Sequence, residues 1–251
     1  MPTWRSSARR RANNVRVAWP LLLLMVCMLP ACATSASGPV RVSPATTPAQ
    51  AGLVDMATLS ADMHFDIRYA GTRNFVGERV AGYDAPKCLL LQPVAEALAR
   101  VQQDVQRDGL SLKVFDCYRP VQAVRHFVRW ARDAGDQRTK SEYYPVVDKA
   151  TLLDGYIAET SGHSRGATLD LTLVRCEGDA CTELDMGTPF DFFDPRAHTA
   201  HADLSPAQKA NRARLVEAMA RHGFHNYPME WWHFTFRPEP SPQTAYDIPI
   251  Q

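Results

Sequence analysis

The stretch Ser161-Gly162-His163-Ser164-Arg165-Gly166, running into Ala167-Thr168-Leu169-Asp170-Leu171-Thr172-Leu173, constrains this chain more than any other. From Ala167 onward aliphatic residues alternate with Thr168, Asp170 and Thr172, the period of a β-strand that buries one face and presents Asp170 on the polar one. Gly166 stands where a turn brings the His163 imidazole back toward that carboxylate. One imidazole and one carboxylate from a turn-strand unit suit zinc, which takes nitrogen and oxygen ligands. A second stretch, Met229-Glu230-Trp231-Trp232-His233-Phe234, sets Glu230 and His233 three apart. In a straight strand that odd offset places them on opposite faces. Pro228, just before, points to a bend that aims both at one centre. His163, Asp170 and His233 then form a three-ligand set with an open position for water, as catalytic zinc requires, and Glu230 is the natural general base. Taken singly, each stretch has a plainer reading: a structural His and Asp, and an aromatic core carrying a capped charge. Neither is the H-E-x-x-H helix motif.

Three helices are legible around these stretches. Pro93 to Arg107 carries Val94, Ala97, Leu98, Val101 and Val105 at helical spacing, with Gly109 as its stop. Pro120 to Ala134 opens on proline and repeats Val124, Phe127, Val128 and Ala131. Ser205-Pro206 opens a third, with Leu215, Met219 and Ala220 inward and Gly223 near its end. Short strands are expected at Leu112 to Asp116, Ala167 to Leu173 and Trp231 to Phe236. Their irregular alternation with helices predicts an α+β domain: a small, mostly antiparallel central sheet flanked by helices, with the zinc site on the sheet.

The N-terminus reads as an export signal over residues 1–32. Arg5, Arg9, Arg10, Arg11 and Arg16 precede an apolar run from Val17 to Leu29, too short for a confident membrane span. Leu29-Pro30-Ala31-Cys32 resembles a bacterial lipobox, which would make Cys32 a lipidated mature N-terminus; the alternatives are ordinary cleavage around Ala31-Cys32-Ala33 and an uncleaved anchor. Residues 33–52, rich in Ala, Ser, Thr and Pro, read as a flexible tether, and 53–251 as one catalytic domain. The expected location is therefore exported and periplasmic, touching a membrane only through that lipid anchor. Export also assigns a role to Cys88, Cys117, Cys176 and Cys181: two disulfides, with three possible connectivities. Cys176 and Cys181 flank a turn-like stretch and are paired here, leaving Cys88 with Cys117. A net charge of +1 and the lack of a basic stripe give no sign of nucleic acid.

Taken together, the two metal stretches resemble the zinc D-alanyl-D-alanine dipeptidases, the VanX-like family. Asp66-Ile67-Arg68-Tyr69-Ala70, Asn74-Phe75-Val76-Gly77, Gly82-Tyr83, Asp116-Cys117-Tyr118-Arg119-Pro120 and Met186-Gly187-Thr188-Pro189-Phe190-Asp191 extend the likeness over nearly all of the mature chain. The resemblance implies one zinc per chain on His163, Asp170 and His233, with Glu230 activating water and passing its proton to the leaving amine. It implies Arg119 as the group that stabilises the oxyanion, Asp191 and Tyr83 as contacts to the substrate ammonium, and Ser161 at its carboxylate end. The expected substrate is a small dipeptide, D-alanyl-D-alanine, cleaved to two D-alanine. Glycopeptide-resistance members of the family act in the cytoplasm, a pool that an exported protein does not reach, so turnover of wall dipeptide or its scavenging is the expected role. The alternatives are a zinc carboxypeptidase acting on longer wall peptides, or a wall-binding lipoprotein without catalysis. Nothing in the sequence indicates an oligomeric state.

Overall fold

The computed structural model describes residues 38–178 and 180–251; the expected export signal, with Cys32, lies outside them. In chain order the elements are β1 (Arg41–Val42), α1 (Pro48–Ala51), β2 (Leu53–Asp55), β3 (His64–Phe65), β4 (Leu89–Leu91), α2 (Gln92–Arg107) and β5 (Leu110–Asp116). They continue as α3 (Val121–Arg132), α4 (Lys140–Tyr143), β6 (Thr168–Glu177), β7 (Ala180–Glu183), α5 (Pro206–Ala220), β8 (Phe224–Asn226), β9 (His233–Phe236) and β10 (Thr244–Ala245). The fold is α+β. Its main sheet runs β3-β5-β6-β9-β8, with β7 extending β6 as a hairpin, and only the β3–β5 pair is parallel. No described helix is long and apolar enough to cross a membrane.

The helices form where the apolar period is 3.6 and stop where the backbone is diverted. In α2, Val94, Ala97, Leu98, Val101 and Val105 are all buried, and Gly109 turns the chain at φ 69° into β5. Helix α3 buries Ala123, Val124, Phe127, Val128 and Ala131. It ends two residues before the expected Ala134, because Asp133 leaves helical geometry and its carbonyl accepts from the buried Lys149 ammonium, 2.9 Å away. Helix α5 opens with a capping box, the Ser205 hydroxyl accepting from Gln208 N and the Gln208 side chain from Ser205 N. Ala218 faces inward beside Leu215 and Met219, whereas Ala220 is exposed.

Strand β6 corrects the simple two-faced reading. Leu169, Leu171 and Leu173 are fully buried, but so are Thr168 and Thr172, and Asp170 is 2% exposed. The polar face is roofed by the segments carrying Tyr69, Arg119 and Asp191, so it forms the floor of a cleft rather than a wet surface. The folded body also begins earlier than residue 53. Strand β1 pairs with β10, Arg41 opposite Thr244 and Val42 opposite Ala245, and Thr47 caps α1 through its hydroxyl. The small polar composition of residues 38–52 therefore supports an edge strand and a capped turn, not a tether along its whole length. Cys88 pairs with Cys117, tying β4 to the end of β5, and Cys176 pairs with Cys181 across the β6–β7 hairpin.

Gly166 links fold to site. It ends the turn of His163–Arg165 at φ 70°, and a Cβ there would lie 2.8 Å from Leu53 Cδ2. The left-handed backbone together with the clash predicts that Gly166→Ala costs about 2 kcal/mol or more. The check is the shift in urea midpoint at constant m-value; an unchanged midpoint would contradict it.

Candidate active site

Three neighbouring strands put the site together by register. Asp116 of β5 is paired with Asp170 of β6, and Asp170 in turn with His233 of β9, so three titratable side chains line up across the sheet. A register shift between Val114 and Asp116 makes that alignment possible. His163 arrives from the turn before β6. Its Nδ1 donates to the Cys117 carbonyl at 2.7 Å, which fixes the tautomer and leaves Nε2 free as an acceptor. The turn is anchored by Arg119 N donating to His163 O, by Tyr246 N donating to Ser164 O, and by Arg165 paired with the half-buried Glu239.

His163 Nε2, His233 Nδ1 and Asp170 Oδ1 form a triangle with sides of 3.3, 3.1 and 3.4 Å. A tetrahedral ion with bonds near 2.0–2.1 Å needs ligand edges of about 3.3–3.4 Å. Asp170 Oδ1 is buried and has no hydrogen-bond partner, although two imidazole nitrogens face it. An orphaned carboxylate oxygen between two imidazoles, at that spacing, fits zinc. Glu230 joins from the turn before β9. Glu230 N donates to Tyr227 O and His233 N to Glu230 O, and this tight turn brings Glu230 Oε2 to 3.3 Å from His233 Nδ1. It also delays β9, which starts at His233 instead of Trp231. Both tryptophans lie in the turn, where Trp231 N and Nε1 donate to Ala197 O and Thr188 Oγ1.

The electrostatics follow from burial. Burial and the Arg119 charge hold the His163 imidazole below its usual range, which favours the neutral form a metal needs. Burial raises Asp170, but the neighbouring imidazoles of His163 and His233 outweigh it and hold the carboxyl low. Burial pushes Glu230 up to about 7, toward the value expected of a general base working near neutrality. Burial, reinforced by the Asp170 charge, raises Asp191 well above the carboxylate range. A cation arriving beside Asp191 would relieve that cost.

The cleft around this centre has a volume of about 300 Å³, at the small end of ligand pockets, which run from roughly 300 to 1,000 Å³. Arg119, Ser161, Asp170, Asp191, Glu230 and His233 all line it. Arg119 is held by Asp116 Oδ2, 3.0 Å from Nε and 2.9 Å from Nη2, while Asp170 Oδ2 lies 3.5 Å from Nη2. Its guanidinium packs over the Tyr69 and Phe127 rings. Asp191 sits at φ 60°, alone among the described non-glycine residues in having a positive φ, and Asp tolerates that region better than most. Phe190 stacked on Phe115 and the buried Arg212, donating to the carbonyls of Met186, Arg196 and His198, fix the loop that carries it.

Tyr83 is a correction. It does not line the cleft; fully buried, its hydroxyl donates to Asp116 Oδ1 at 2.6 Å, so it braces the carboxylate that holds Arg119. The tyrosine on Asp191 is Tyr69, whose hydroxyl lies 3.0 and 3.1 Å from the two carboxylate oxygens. Gly82 turns the chain at φ 85° just before Tyr83, and the Tyr83 backbone is bonded to Val80 and bridged to Ile250, which holds the ring inside the core. Tyr83→Phe removes a hydrogen bond to a charged acceptor, about 1.5 kcal/mol, and is expected to lower kcat/KM about tenfold with zinc content unchanged. Steady-state kinetics beside a zinc assay check this; wild-type kinetics would remove Tyr83 from the site. Residues 155–160, which wall the cleft ahead of Ser161, carry no periodic signal in the sequence, and neither Phe193 nor Trp232 stands out there from core aromatics.

Two imidazoles and one carboxylate around a single point, with a carboxyl beside the open face, define the site class of a mononuclear zinc metallopeptidase. The comparisons agree. A family model described as D-ala-D-ala dipeptidase, Peptidase M15, matches residues 49–251. A D-alanyl-D-alanine dipeptidase of Streptomyces coelicolor is 40% identical, over 76% of this chain and 95% of its own. One from Enterococcus faecium is 37% identical over 75% and 93%, and one from Escherichia coli 35% over 72% and 83%. The chain belongs to the D-Ala-D-Ala dipeptidase family of M15 zinc peptidases.

Proposed function

We propose that this protein hydrolyses D-alanyl-D-alanine to two molecules of D-alanine, with zinc held by His163 Nε2, Asp170 Oδ1 and His233 Nδ1. The observation that carries this is the pairing of the orphaned Asp170 oxygen and its two imidazoles with Glu230 at the rim of a 300 Å³ cleft. Zinc bound there supplies Lewis acidity, polarising the scissile carbonyl and making water a better nucleophile. Glu230 takes the proton of the attacking water and hands it to the leaving amine nitrogen as the C–N bond breaks. Arg119, positioned by Asp116, donates to the oxygen on which negative charge develops.

A dipeptide is a small zwitterion with little apolar area, so its charged ends are the available handles. Asp191, held by Tyr69, accepts the ammonium and offsets the cost of its own burial. Ser161 stands at the carboxylate end, its Oγ accepting from His163 N at 3.2 Å. Phe75, Val124, Phe127, Phe193 and Trp232 line the remaining wall and suit methyl side chains. The two disulfides accord with an exported protein lipid-anchored at Cys32, and such a protein would turn over or scavenge dipeptide released from the wall.

The test varies the ammonium end and the length. D-Ala-D-Ala should turn over, while N-acetyl-D-Ala-D-Ala and a D-Ala-terminated tripeptide should lose about 10²-fold or more in kcat/KM, because each leaves Asp191 buried without its counter-charge. Faster cleavage of the tripeptide would move the assignment to a carboxypeptidase.

A further inference from the structure

About 20 Å of strand from the zinc centre, six residues further along β6, a second group of metal-ligating side chains is assembled. Cys176 and Cys181 face each other across the β6–β7 hairpin, their Cα atoms 4.0 Å apart, joined as a disulfide. His64, from β3, reaches over the end of β5 and sets its Nε2 3.4 Å from both sulfurs. The three side chains open on a surface hollow of about 450 Å³ shared with Asp62, Gln106 and Ser111. Cys181 is exposed, and Cys176 and His64 are half-buried. The other disulfide is sealed, with Cys88 and Cys117 each 1% exposed, so a soluble reductant meets the hairpin pair first.

We propose that this is a redox-gated metal site: with the hairpin disulfide reduced, the Cys176 and Cys181 thiolates and His64 Nε2 bind a thiophilic divalent cation such as Zn²⁺, separately from the catalytic ion. The reductant is a dithiol. One of its thiolates attacks a protein sulfur to give a mixed disulfide, and its second thiol resolves that intermediate. Two electrons and two protons pass to the cysteines while the reductant leaves as a cyclic disulfide. Binding of the cation then releases the two thiol protons to solvent. For zinc bonds near 2.3 Å to sulfur and 2.0–2.1 Å to nitrogen, a tetrahedron needs sulfur–nitrogen edges of about 3.6 Å and a sulfur–sulfur edge of about 3.8 Å. Both sulfur–nitrogen distances are already near that value. The sulfurs need only part, which two directly opposed strand residues allow by rotation about their side-chain bonds. Two thiolates and one imidazole select a soft or borderline cation over calcium or magnesium, and the fourth position stays open to water.

The zinc-loaded full-length protein is treated anaerobically with a dithiol, freed of it by gel filtration, assayed for thiols and titrated with Co²⁺. The expected result is one additional ion per chain, with a near-ultraviolet thiolate-to-cobalt charge-transfer band that the cysteine-free catalytic centre does not produce. Cys176→Ser/Cys181→Ser and the unreduced wild type should show neither. His64→Ala should weaken the second site at least about tenfold. Peptide hydrolysis is expected to stay at the wild-type level in the double serine variant and in His64→Ala, showing that both are folded. A hairpin disulfide that resists the dithiol, a reduced protein that binds no further ion, or a sulfur band that persists in the double serine variant would each overturn the proposal.

Discussion

Glu230→Gln is expected to retain zinc and lower kcat for D-Ala-D-Ala by about 10²–10⁴-fold, with KM little changed. The substitution keeps the volume and removes the proton acceptor. Glu230 is buried, with His233 Nδ1 3.3 Å from its Oε2, and it stands outside the triangle formed by His163, Asp170 and His233. It is placed to act on water without being needed to hold the ion. A loss confined to kcat is what removal of an interaction made in the transition state produces. Loss of zinc instead would mean that Glu230 is a ligand. A rise in KM at constant kcat would make it a binding residue.

The second large effect is on the metal. Asp170→Asn should weaken zinc binding by about 10²–10³-fold, because roughly 10–16 kcal/mol for a four-ligand structural zinc site is about 2.5–4 kcal/mol per ligand. The carboxylate is the anionic member of the set and also faces Arg119 Nη2 at 3.5 Å, so its charge supports both ion and guanidinium. Activity at limiting zinc should disappear and return partly at high zinc. A thermal readout separates this from misfolding. Zinc should raise the wild-type Tm by mass action, whereas at the same free zinc the variant's Tm should move much less. Equal zinc shifts in both proteins would exclude Asp170 as a ligand.

That these candidate residues could converge was legible in the sequence, and the reasons are local. His163, Gly166 and Asp170 lie in one turn-strand unit, so the chain itself limits how far apart they can be. Glu230 and His233 needed only a bend. The helical stripe of α2 and the capping box of α5 are local in the same sense. What stayed hidden depends on register and on long-range approach. Asp116 matters because β5 shifts register opposite β6, which the spacing within β5 does not reveal. Tyr69 and Tyr83 lie 14 residues apart in similar surroundings; only the fold decides that one meets Asp191 and the other Asp116. The buried polar face of β6 has the same origin, since alternation reports that two faces differ without saying what covers the second.

The measurement that tests this account most directly is D-alanine release from D-Ala-D-Ala by metal-free protein titrated with zinc. Activity is expected to rise linearly and to plateau at one zinc per chain in oxidised protein, with His163→Ala and His233→Ala staying near the uncatalysed rate at that stoichiometry. Turnover that is independent of zinc, or full turnover in either histidine variant, would contradict a zinc peptidase built on His163, Asp170 and His233.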